Sequence, residues 1–223
     1  MNSKIPIEYE RGYTKFLNCK IDLRNRVFIP RIETEFWVAR AIKTIRTSNI
    51  EHRTLKVLDI FAGSGCIGIS ILKNVKNLLV DFADIDKKAI EQIKINLKLN
   101  KIPSQRYRIY QSNLFEKIKN KNYNYIFANP PYVAKEKIKE VQPSVLKYEP
   151  KRAILAGKKG LFYIRKFLKE VKKFLKPDGI IYLEFDPEQK NEISNILKKE
   201  NYKNSKFFKD QFKKWRWTRI AYH

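Results

Sequence analysis

The chain has 223 residues, 43% of them apolar, enough to build one large core or two small ones. Its longest charge-free stretch, Ile60 to Leu72, is 13 residues broken by Gly and Ser, short of the about 20 that cross a bilayer; Met1-Asn2-Ser3-Lys4-Ile5-Pro6 lacks a secretory apolar run, so a cytoplasmic protein with no membrane partner is expected. The net charge of +25 favours phosphate-rich partners, yet lysine outnumbers arginine almost three to one and is spread along the whole length, which reads as a solvated surface that draws the protein nonspecifically toward ribosome or RNA rather than as a base-reading groove.

The elements follow in order. Thr14 to Leu17, Lys20 to Leu23 and Arg26 to Ile29 read as short strands around turns at Asn18 and Asn25, a small β-hairpin expected to cover a sheet edge or a ligand. Glu33 to Ile45 carries a helical apolar stripe. From Leu55 strand and helix alternate: strand Leu55 to Phe61, helix Cys66 to Asn74, strand Leu78 to Ala83, helix Asp86 to Asn100, then strands Arg108 to Gln111 and Tyr125 to Ala128. Helix Leu161 to Leu175, closed by Pro177-Asp178-Gly179, leads to strand Ile180 to Phe185, helix Pro187 to Asn201 and final strands Tyr202 to Phe208 and Trp215 to Ala221. This predicts a doubly wound α/β domain with a mostly parallel seven-stranded sheet over residues 33–223, preceded by a hairpin and linker over residues 1–32.

Cys19, Cys66, His52 and His223 are too few and too scattered for a disulfide framework or a zinc site. Both thiols are expected to be reduced and non-catalytic, and no metal is expected.

In doubly wound sheets, ligands bind beyond the carboxyl ends of the strands, where strand order reverses. Asp59-Ile60-Phe61-Ala62-Gly63-Ser64-Gly65 lies there, and three of the chain's seven glycines fall between Gly63 and Gly68. Lacking Cβ, they allow a tight turn and close approach of a ligand to the backbone; a ligand-free turn uses the same residues. Asp84, about 20 residues further on, has the spacing of a carboxylate that accepts ribose hydroxyls, and Asp86 reads as the cap of the next helix. A nicotinamide dinucleotide fits this pair as well. The fourth strand separates the readings. Its end, Asn129-Pro130-Pro131-Tyr132, combines an amide carbonyl, two prolines that stiffen the turn and expose backbone carbonyls, and a ring. Such a clamp suits a planar NH2 group and has no task in hydride transfer, although a proline-rich strand exit is also ordinary punctuation.

Val57 to Gly65, Asp84, Ser112-Asn113-Leu114-Phe115 and Asn129-Pro130-Pro131-Tyr132 together resemble the S-adenosylmethionine-dependent methyltransferases of the Asn-Pro-Pro-Tyr class. Within it the chain resembles the protein-(glutamine-N5) methyltransferases that modify peptide chain release factors. Ile29-Pro30-Arg31-Ile32-Glu33-Thr34-Glu35, Glu149 to Gly157 with Gly160-Leu161, and Leu183-Glu184-Phe185 with Gln189 carry this narrower likeness, which spans about residues 12–221.

The resemblance implies a class I methyltransferase fold, S-adenosylmethionine as cofactor and N5-methylation of a glutamine in the Gly-Gly-Gln loop of a release factor. Implied catalytic residues are Asn129, Pro130, Pro131 and Tyr132; implied cofactor contacts are Asp59, Phe61, Ala62, Gly63, Ser64, Gly65, Asp84, Ile85, Asn113, Leu114 and Asn129. Phe61-Ala62 replaces the family's Gly-Thr, Asn113 its Asp and Ile32 a proline; only some thirty residues stand before the catalytic domain, so substrate docking is expected to differ or to rely on the hairpin and basic surface. The rival substrate is adenine N6 in DNA or RNA, which offers the same flat amine but needs base flipping from a duplex; Trp215 and Trp217 would be its stacking candidates, though their alternation reads as core and surface packing. A non-catalytic binding module is the third reading, opposed by the complete clamp and Asp84.

Overall fold

A computed structural model describes residues 4–47 and 54–221. His52 and His223 lie outside these described residues. The short helix α1 (Ile7–Arg11) ends at Gly12 and leads into the antiparallel hairpin β1 (Tyr13–Phe16) and β2 (Cys19–Asp22). Helix α2 (Ile32–Thr47) then precedes the alternating part: β3 (Leu55–Ile60), α3 (Cys66–Asn74), β4 (Leu78–Asp84), α4 (Lys87–Leu99), β5 (Tyr107–Gln111) and β6 (Tyr123–Ala128). The second half adds α5 (Pro143–Tyr148), α6 (Phe162–Glu170), β7 (Leu175–Glu184), α7 (Lys190–Lys199), β8 (Asn204–Lys209) and β9 (Trp215–Ala221).

The seven-stranded sheet has the order β5-β4-β3-β6-β7-β9-β8, parallel through its first five members and antiparallel at β9 and β8. The chain winds outward from β3 to β5 and then returns to the other side of β3 with β6, so strand order reverses between β3 and β6. Both faces are covered. Trp37 and Val38 of α2 with α3, α4 and the hairpin pack on one face; Ile164, Phe167 and Leu168 of α6 with Ile193 and Leu197 of α7 pack on the other. Central strands coated on both sides read as apolar runs, and Val57, Leu58, Asp59 and Ile60 are all buried.

Several expectations are corrected. Arg26 to Ile29 forms no strand: the chain turns at Arg24 and Asn25 and runs on extended, with Val27 and Ile29 buried in the helix-covered core rather than paired. The helix anticipated over Leu161 to Leu175 stops at Glu170. A 3-10 turn, Val171–Phe174, carries its stripe on, and Leu175 already pairs with Tyr123 in β7. Pro187 to Gln189 is likewise a 3-10 turn before α7, closed by a reciprocal Asp186 and Gln189 capping box.

The hairpin lies across α3 and α4, not along a sheet edge. Gln92, Asn96 and Asn100 recur every four residues on one face of α4. Asn100 accepts from Lys20 N at 3.1 Å and donates to Lys20 O at 2.8 Å, while Asn96 accepts from Asp22 N at 2.7 Å and donates to Asp22 O at 3.2 Å. Gln92 accepts from Asn25 N and donates to Asp22 Oδ1. These amides imitate a neighbouring strand and satisfy the outer edge of β2.

Candidate active site

The turn after β3 is tight. Phe61, Gly63 and Gly65 hold φ of 61°, 55° and 76°, and the Gly65 N–H donates to Ala62 O at 2.7 Å. Two glycines tolerate this left-handed backbone without cost, but a bulky side chain does so at about 1–2 kcal/mol. Packing of the Phe61 ring edge-on against Tyr163 and Phe167 offsets that cost. Gly68 brings α3 onto β4, because any Cβ there would overlap the Phe82 ring. Its N–H donates at 2.9 Å to Asp59 Oδ2, whose carboxylate is fully buried, with Oδ1 unpartnered and the pKa pushed up by desolvation to about 8.

Across the turn, Asp84 accepts from Gly63 N through Oδ2 and from Asp86 N through Oδ1, both at 2.8 Å. Burial raises its carboxyl, while these backbone donors favour the charged form. Asp86 caps α4 by accepting from Lys88 N at 2.9 Å, as the sequence predicts. Beyond β5, the Ser112 hydroxyl donates to Leu114 O and accepts from Lys117 N, folding the backbone so that Leu114 takes a φ of 50°. The Asn113 amide donates to Glu116 at 2.6 Å.

At the end of β6, the Asn129 side-chain nitrogen lies 3.4 Å from Thr34 Oγ1. The Thr34 hydroxyl donates to Glu184 Oε2 at 2.7 Å, Trp37 Nε1 donates to the same oxygen at 2.6 Å, and the Tyr132 hydroxyl reaches Oε1 at 3.3 Å. Burial and the nearby Glu184 raise the Tyr132 phenol, keeping it neutral. The Tyr132 carbonyl accepts from Gln189 Nε2 at 2.9 Å and abuts Gly160, where φ is 67° and a Cβ has no room. Val133 exchanges backbone hydrogen bonds with Ile154 and Ala156, and buried Glu149 accepts from Arg31 and Ile29 N, tying the linker to the segment after the loop.

These four strand ends open on one cavity of about 670 Å³. Phe61, Ala62, Gly63, Ser64, Asp84, Ile85, Asn113, Leu114 and all of Asn129 to Tyr132 line it. Asp59 and Gly65, expected as cofactor contacts, are not in its lining: Asp59 Oδ2 takes the Gly68 N–H behind the turn, and a Cβ on Gly65 would meet Ile93 and Ile69. Thr34 is a wall residue whose role sequence reasoning missed. Glu184 stands behind it, and its signal was a carboxylate closing an apolar strand on the ligand-binding side of the sheet. Cys19 and Cys66 are free and buried, and burial pushes the Cys19 thiol up to about 11 and raises the Cys66 thiol as well.

A glycine turn, a strand-end carboxylate and an Asn-Pro-Pro-Tyr loop around one cavity of a doubly wound sheet define an S-adenosylmethionine-dependent methyltransferase of class I. The lining fits that cofactor. A Cβ built on Gly63 meets nothing within 4 Å, so backbone there faces open space; the Asp84 carboxylate, with about four acceptor sites, takes backbone donors from Gly63, Asp86 and Ile85 and keeps capacity for a hydroxyl; and Ile85, 53% exposed, joins Leu114 in an apolar wall for a purine.

The model of the methyltransferase small domain matches residues 42–152. The release factor glutamine methyltransferase of Thermodesulfovibrio yellowstonii is 34% identical over 193 residues, covering 86% of this chain and 68% of that protein. Its counterpart from Clostridium acetobutylicum is 34% identical over 209 residues, 93% of this chain and 72% of that one. Among solved structures, M. jannaschii TYW2 in complex with AdoMet superimposes with a TM-score of 0.59 at 17% identity, covering 99% of this chain and 87% of that chain, a likeness of fold. The chain belongs to the release factor glutamine methyltransferase family.

Proposed function

We propose that this methyltransferase modifies the side-chain amide nitrogen of a glutamine in a peptide chain release factor, in its Gly-Gly-Gln loop. One observation carries the reading: Asn129 turns its nitrogen to Thr34 at 3.4 Å, which would leave its amide oxygen for a flat NH2 group within the cavity that Asn129 and Pro130 line together with the glycine turn. When bound, S-adenosylmethionine supplies a methyl group already activated by its positive sulfur. The protein's task is then to position a poor nucleophile.

Asn129 Oδ1 and the Pro130 carbonyl would accept the two amide hydrogens, aiming the nitrogen and favouring positive charge as it builds there. Pro131 would stiffen the turn, and Tyr132, neutral and tethered to Glu184, would cover the amide and exclude water. Asp84 would hold the ribose, Ile85, Asn113 and Leu114 the adenine side, and the turn from Phe61 to Ser64 the amino-acid end, with Asp59 and Gly65 shaping that turn from behind. The setting is the cytoplasm, where a diffuse net charge of +25 would draw the enzyme toward ribosomes and RNA without a dedicated site.

The adenine rival loses one of its stacking candidates. Trp217 is 4% exposed and stacked on Phe208 at 4.1 Å, inside the core. Mass spectrometry of a release factor before and after incubation with the enzyme and S-adenosylmethionine should show a gain of one methyl group on the loop glutamine. Transfer to RNA or DNA instead, with the release factor unchanged, would overturn the reading.

A further inference from the structure

Asn129 has a symmetry problem. Its amide can turn by half a revolution about its last torsion with almost no change in shape, and the turned form would present two N–H donors to a substrate that also brings N–H donors. We propose that Thr34 and Glu184 are positioning residues that lock the Asn129 amide with its oxygen toward the reaction cavity. The inference rests on the glutamine-amide reading of the site.

Three donors converge on the two oxygens of Glu184: the Thr34 hydroxyl at 2.7 Å, Trp37 Nε1 at 2.6 Å and the Tyr132 hydroxyl at 3.3 Å. An indole N–H can only donate, so Glu184 accepts there. Thr34 has one proton, and the ionised Glu184 carboxylate, which has no hydrogen to give, takes it. Its oxygen can therefore only accept from Asn129, 3.4 Å away, and only the nitrogen end of that amide has a hydrogen to give. The proton order Asn129 to Thr34 to Glu184 thus runs one way. Thr34 and Glu184 are 2% and 1% exposed, so water does not compete for these positions, and Glu184 sits on β7, which pairs in parallel with β6 and so is rigidly placed beside Asn129. The contact is long for a finished hydrogen bond, as groups that tighten around a bound substrate often are.

Thr34→Val removes the hydroxyl at constant shape, and Thr34→Ser restores it. Outer-shell partners of this kind are worth about 10–100-fold. Thr34→Val should lower release-factor turnover by that factor, Thr34→Ser should return it to within about threefold, and calorimetry should find S-adenosylmethionine affinity unchanged. In an Asn129→Ala background Thr34→Val should cost nothing further, since two residues acting through one contact are not additive. Wild-type turnover in Thr34→Val, a loss that falls on cofactor affinity, or a further loss in the double variant would each overturn the proposal.

A readout free of catalysis covers variants that fail to fold and the case of a wrong substrate. In the wild-type protein the Asn129 side-chain NH2 signals, assigned by their disappearance in Asn129→Ala, should show one proton protected from exchange. Two freely exchanging protons would overturn the lock, whereas protection in an enzyme that leaves release factors unmodified would sink only the substrate reading.

Discussion

The ring of Phe61 meets the ring of Tyr163 edge-on, 6.1 Å between centroids, from a backbone held at φ 61°. Phe61 occupies the position where the family's glycine would avoid strain, so strain and packing can be separated by substitution. Phe61→Ala keeps the strained backbone and loses the ring; Phe61→Gly loses the ring but relieves about 1 kcal/mol of strain. Denaturant midpoints should rank wild type above Phe61→Gly and Phe61→Gly above Phe61→Ala. An alanine variant as stable as the glycine variant would show that the turn relaxes.

Asn129→Ala should lower methyl transfer by about 10²–10³-fold, the range for removing one preorganised polar group from a reacting centre. Cofactor affinity should hold within about threefold, because in the proposed arrangement Asp84 and the glycine turn hold the cofactor. Single-turnover rates and titration calorimetry on the same samples check both halves.

Gly160→Ala would push a methyl group into the Tyr132 carbonyl and the Gln189 amide at a φ of 67°. Strain and overpacking together should cost about 2–4 kcal/mol, read as a lower midpoint in urea. Because the carbonyl it strikes belongs to the loop proposed to hold the substrate amide, turnover should fall even below the unfolding range. A stable variant with full activity would mean that the loop tolerates displacement.

Asp59 links stability to pH. The unfolded carboxyl ionises at about 3.9, whereas burial pushes the folded one up to about 8. Between these values the unfolded chain releases a proton that the folded chain retains, so stability is complete below about pH 4 and declines as pH rises toward 8. Asp59→Asn should flatten that decline. Asp84, Glu149 and Glu184 are raised in the same direction by burial, so part of the slope remains. Urea midpoints of the cofactor-free protein at pH 5 and 8.5 decide it, and an unchanged slope in Asp59→Asn would refute the assignment.

The sheet and the glycine turn after β3 were legible because their signals are local. Apolar runs such as Val57 to Ile60 mark central strands, glycine spacing marks the turn, and α3 and β9 match the residues read for them. Where residues depend on distant partners, the sequence was mute. Val27 and Ile29 alternate like a strand, but among the described residues no strand pairs with them; the Val27 carbonyl takes the Tyr9 hydroxyl and the Ile29 N–H goes to Glu149. The amides of Gln92, Asn96 and Asn100 look like an ordinary wet helix face until the hairpin is seen on them. Thr34 and Glu184 lie 150 positions apart and meet only where α2 crosses the end of β7. The segment from Val133 to Gly160, without periodicity, gave no elements to predict; its 3-10 turns follow from contacts with Tyr132, Arg31 and Ile29.

Because Asn96 and Asn100 already saturate the outward backbone of β2, that border offers no vacancy for a guest chain to join by main-chain pairing. Recognition along it must therefore be a matter of side chains and shape. The second amide hydrogen of Asn96 is held by Ser64 O at 2.9 Å, so whatever tugs on the hairpin also tugs on the glycine turn, and grip at the amino-terminal end reaches the cavity wall through this one side chain.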